Sequence, residues 1–65
     1  MHIILEERIR AVVKSIIVYQ NESIKEMSKK IEDQVIAIMN NADADRTPDN
    51  IMNVTFDIID KLLEG

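Results

Sequence analysis

Apolar residues recur at intervals of three and four along almost the whole chain, and that spacing constrains the fold more than any other feature. In the first stretch Leu5, Ile9, Val12, Ile16 and Tyr19 follow it, and Val13 and Ile17 widen the stripe. An α-helix returns to one face about every 3.6 residues, so the stripe predicts a helix broad enough to touch two neighbours. A strand is the competing reading, because Val12-Val13 and Ile16-Ile17-Val18-Tyr19 are β-branched or aromatic. Lys14-Ser15 breaks the alternation a strand needs, and no hairpin turn lies nearby. The helix is placed at about residues 3–20, with Glu6 and Glu7 spaced to pair with Arg10.

Gln20-Asn21-Glu22 is the first break, and Ser23-Ile24-Lys25-Glu26 has the form of a capping box. The second helix, about residues 23–40, carries Ile24, Met27, Ile31, Val35, Ile38 and Met39 on its apolar face. Lys25, Lys29, Lys30, Glu32 and Asp33 are expected on the opposite side, with Glu26 paired to Lys30. Asn40-Asn41 should end the helix, since asparagine tolerates a left-handed cap. A polar connection leads to Thr47-Pro48-Asp49, the clearest start signal in the chain: cap, first helical position, and a carboxylate at the positive end of the dipole. The third helix, about residues 48–63, has one stripe at Met52, Phe56, Ile59 and Leu63 and another at Ile51, Val54, Ile58 and Leu62. Asp57 and Lys61 are spaced to pair on it. Two stripes predict two packing partners.

The expected architecture is all-α: three helices in a single domain spanning residues 1–65. A domain this short buries a modest share of its surface and usually needs a staple. Cysteine is absent and the only histidine is His2, which excludes disulfides and a histidine-rich metal site. With 46% hydrophobic residues, isoleucine foremost, a second copy of the chain is the expected staple. The candidate dimer or partner interface is Ile51, Met52, Phe56, Ile59 and Leu63.

Chemistry finds little to stand on. Asp43, Asp45, Thr47 and Asp49 alternate like calcium ligands, but an EF-hand loop from Asp43 would need glycine at Pro48 and glutamate at Val54. His2 lies at a terminus, unlike a phosphotransfer histidine in mid-helix. Ser15, Ser23, Ser28, Thr47 and Thr55 have no histidine base within the fold, and the one glycine is Gly65, so neither a nucleophile elbow nor a phosphate loop can form. Glu6-Glu7 and Glu32-Asp33 are adjacent, hence about 100° apart on a helix, and read as solvated faces. No enzyme, cofactor or metal is expected.

A net charge of −4 disfavours nucleic acid and anionic membranes. The one conceivable nucleic-acid patch is Arg8, Arg10 and Lys14 with Lys25, Lys29 and Lys30, diluted by carboxylates and lacking aromatic residues between them. No apolar run nears the ~20 residues of a membrane span, and the start of the chain has no signal-peptide pattern. The expected location is cytoplasmic.

Two resemblances remain. Glu6-Glu7-Arg8-Ile9 with Val12-Val13 is similar to the first helix of acyl carrier proteins, and Asp49-Asn50-Ile51 to their Asp-Ser-Leu site. Asn50 stands where the serine must carry the prosthetic arm, and too little chain follows, so that function is set aside. Ile51-Met52-Asn53-Val54-Thr55-Phe56-Asp57-Ile58-Ile59 resembles the last helix of the AriR/YmgB family of small bacterial connector proteins. Val13 to Val18 and Ile31 to Met39 can be laid over that family's other helices if a few residues are inserted in the second. The early glycine and the extended N-terminal segment of that family are missing here. The resemblance implies a dimeric helical regulator that works by protein contacts in a phosphorelay controlling biofilm and acid-stress genes, with DNA binding also proposed for the family. The alternatives from other classes are a small DNA-associated regulator and a structural or docking subunit of a larger assembly.

Overall fold

Four α-helices make up the computed structural model, which describes residues 2–64: α1 Ile3–Ile17, α2 Glu22–Glu26, α3 Ser28–Met39 and α4 Pro48–Glu64. No strand occurs among the described residues, so the protein is all-α. The β-branched clusters of α1 lie inside a helix because Ile9, Val13 and Ile17 are buried along one face. Packing of that face outweighs the local preference for strand.

The helix ends depart from expectation in three places. The first helix stops at Ile17, not near residue 20, because Tyr19 and Gln20 turn their N–H groups to the carbonyls three residues back (3.3 and 2.9 Å). Such bonds tighten and close a last turn. The second helix begins earlier than expected and is broken. Asn21 is its N-cap, extended at φ −71°, ψ 168°, and its side-chain oxygen accepts from the Ile24 N–H at 3.0 Å. The capping box predicted for Ser23 and Glu26 is therefore not used: both lie inside α2. Starting at Asn21 turns Ile24 fully into the core. At Met27 (φ −95°, ψ 11°) the chain kinks between α2 and α3 with no proline or glycine to announce it.

These caps give a direct test. Asn21→Ala should cost about 1 kcal/mol of stability, whereas Ser23→Ala should stay within about 0.5 kcal/mol, measured by urea unfolding. Equal losses would return the cap to Ser23.

The third departure is at the end of α3. Asn40 stays right-handed at φ −76°, ψ −6°, and no described residue has a positive φ. The left-handed asparagine cap does not form. Arg46 takes its place: its Nε donates to the Met39 carbonyl at 2.7 Å and its NH2 to the Asn41 carbonyl at 3.0 Å. A guanidinium at this end satisfies open carbonyls and complements the negative pole of the helix. The start of α4 is as expected. The Asn50 N–H donates to Thr47 Oγ1 at 3.4 Å, and Pro48 opens the helix.

Helix α1 packs against α3 and α4, and these two pack against each other. The core is Ile9, Val13, Ile17, Ile24, Ile31, Val35, Met39, Ile51, Ile58 and Ile59. Seven of the chain's twelve isoleucines are thus inside a single copy, more than the sequence reading allowed. Ile38, assigned to the apolar face, is exposed, and Tyr19 lies outside α1 in solvent.

Candidate functional site

The apolar residues that this core leaves out define the most distinctive surface. On α4, Met52 is 40% exposed, Phe56 41% and Leu63 57%. Ile51 and Ile59, grouped with them in the sequence reading, are 4% and 2% exposed and belong to the core. Ile59 is shut in the core, while Ile51 also lines the cleft between α1 and α4. The interface candidates divide into three outward residues and two that anchor the helix carrying them.

The position of this edge follows from α1. Arg10 and Lys14 on one side of the Ile9–Val13–Ile17 strip reach carboxylates of α3, so the other side, with Leu5, Val12 and Ile16, turns toward α4. A cleft of ≈ 400 Å³ opens there, lined by Leu5, Arg8, Ala11 and Val12 of α1 and by Pro48 and Ile51 of α4, with Arg46 beside them. It joins the N-terminal half of α1 to the N-terminal end of α4, so the two helices run the same way. Pro48, Met52 and Phe56 are successive fourth residues and climb one edge of α4. On that edge Met52 and Phe56 follow Pro48, which lines this α1/α4 groove; they themselves lie beyond its lining.

Half of the basic patch, Arg10, Lys14 and Lys25, is engaged within the chain. Arg10 donates to Asp33 at 2.9 Å and to Glu6 at 3.1 Å, and lies 3.6 Å from Glu32. Hydrogen bonds to Asp33 and then Glu6 raise its pKa further, so its charge is permanent. Glu32, expected on the solvated side, is buried: Ser28 Oγ donates to it at 2.9 Å and Lys14 stands at 3.9 Å. Burial of this carboxylate is tolerated because two cations and a hydroxyl surround it. The cluster ties α1 to α3. Lys25 pairs with Glu22 at 3.6 Å, while Arg8, Lys29 and Lys30 make no ion pair among the described residues. The expected Glu26–Lys30 and Asp57–Lys61 pairs are likewise not among those formed. Lys29 and Lys30 share the rim of a shallow depression with Glu26 and Asp33, which splits the positive field.

Sequence reasoning missed the α1 side of the groove, although the width of the α1 stripe carried the signal. No group of three or more potential metal ligands occurs among the described residues, and no helix among them is long and apolar enough to cross a membrane. What fold and surface define is a small all-α chain with an apolar groove between α1 and α4. No protein-family model, curated protein or solved structure matches the chain.

Proposed function

We propose that this chain is a small non-catalytic regulatory protein of the cytoplasm that acts through protein contacts as a helical homodimer. The observation that carries the reading is the row Met52, Phe56 and Leu63, three large apolar side chains exposed on one edge of α4 beside a groove. Large aromatic and aliphatic residues gathered at one surface are what interfaces use as anchors. The pattern of α4 also resembles the connector family named above, which directs the proposal toward a link to a two-component phosphorelay. The DNA-associated alternative rests on Arg8, Lys29 and Lys30, since Arg10 and Lys14 are held by α3 carboxylates. A docking subunit of a larger assembly would use the same groove with a different occupant.

Sedimentation at micromolar concentration tests the dimer. The expected result is twice the 7.5 kDa chain mass. A monodisperse monomer at that concentration removes the homodimer, and fixed co-purification with one larger protein replaces it with the docking subunit.

A further inference from the structure

We propose that the α1/α4 groove is filled by the same groove of a second copy lying parallel to the first, so that α1 of each copy packs on α4 of the other. This deepens the homodimer reading and rests on it.

Charge argues for that pairing. Helix α4 carries Asp49, Asp57, Asp60 and Glu64 against a single Lys61, while on α1 Arg10 and Lys14 are engaged with α3 carboxylates and Arg8 is the cation on the groove side. An antiparallel pair would set α4 on α4, and like charges juxtaposed across an interface are costly. The parallel pair sets the acidic helix beside Arg8. Arg8 is exposed on the groove side of α1 and has no carboxylate partner among the described residues. Asp49 is exposed at the matching end of α4.

Size argues for it independently. A two-fold axis along the helices leaves every residue at its own height, and both helices rise about 1.5 Å per residue. Arg8 and Pro48 border the same cleft, and the proposed pairing sets Arg8 level with Asp49, the residue after Pro48. Counting upward from that pair, Met52 of one copy meets Ala11 of the other, and Phe56 meets Ser15. Met52 and Phe56 thus each find a small residue. Ser15 Oγ donates to its own Val12 carbonyl at 2.7 Å, so the hydroxyl is already satisfied and its methylene can take the ring. Interdigitation of large with small residues is how packed helices fill space.

The test is a charge exchange in the full chain, read by native mass spectrometry and sedimentation, with circular dichroism as the control for folding. Arg8→Asp and Asp49→Arg should each weaken self-association about tenfold, since each breaks two symmetric pairs and makes them repulsive. Mixing the two variants should restore a heterodimer near wild-type affinity, because both pairs are then rebuilt across chains. Ala11→Phe, at an exposed position that does not disturb the core, should give a folded monomer. A wild-type dimer indifferent to both charge variants, or variants weakened but not rescued by mixing, overturns this pairing and leaves the homodimer standing. A wild-type monomer overturns the homodimer itself.

Discussion

Ile31→Ala is expected to lower the unfolding free energy by about 2–5 kcal/mol, near the upper part of that range. Ile31 is fully buried in α3, within the core shared with α1 and α4. Removing its outer carbons forfeits transfer free energy and leaves a cavity that three packed helices can close only in part. A domain of this length has a total stability of roughly 3–10 kcal/mol. The variant should therefore melt far below the parent and be largely unfolded at moderate urea. Ile38→Ala is the matched control: the same chemistry on the same helix, but at a side chain 47% exposed. It should change stability by less than about 1 kcal/mol. Comparable losses in the two variants would show that α3 presents a different face to the core.

Which parts of this were legible in the sequence follows from how each feature is determined. Thr47-Pro48-Asp49 located the start of α4 because capping is decided within one turn of chain. The apolar spacing gave the helical class because amphipathic period depends on one helix alone. The boundary at Met27 was invisible, since no residue there forbids the helix; the kink is set by how Ile24 and Ile31 both reach the core. The division of α4 into buried and exposed apolar residues was also beyond local reading. Met52 and Ile59 lie on one stripe, and only the placement of α1 and α3 decides that Ile59 goes inside. Glu32, read as part of a solvated face, was misread for the same reason. Glu32 is buried because Arg10 and Lys14 approach from another helix. Thr55 is fully buried because its hydroxyl donates to the Ile51 carbonyl at 2.7 Å, leaving an essentially apolar exterior.

Phe56→Ala should separate folding from association, and so bears most directly on what the protein does. In a core this truncation would cost about 3–5 kcal/mol. At 41% exposure, Phe56 is not a core residue, so a single copy should lose only about 1–2 kcal/mol and keep its helix content. Self-association is a different matter. A central aromatic anchor at an interface is worth about 2 kcal/mol or more, which is roughly thirtyfold in affinity per chain, and a symmetric dimer loses it twice. The expected result is a folded monomer at micromolar concentration, with capture of a protein partner or the cellular phenotype lost alongside the dimer. The comparison is the triple variant Lys25→Ala, Lys29→Ala, Lys30→Ala. These side chains are exposed, and only Lys25 has an ion-pair partner, so the variant should fold, dimerise and keep its activity. Thermal melting, sedimentation and pull-down on both variants decide between the readings. If the lysine variant folds and dimerises but loses activity together with retention on duplex DNA, the nucleic-acid reading replaces the one based on protein contacts. If Phe56→Ala unfolds outright, the dimer is obligate and the single-chain core is too weak to stand alone.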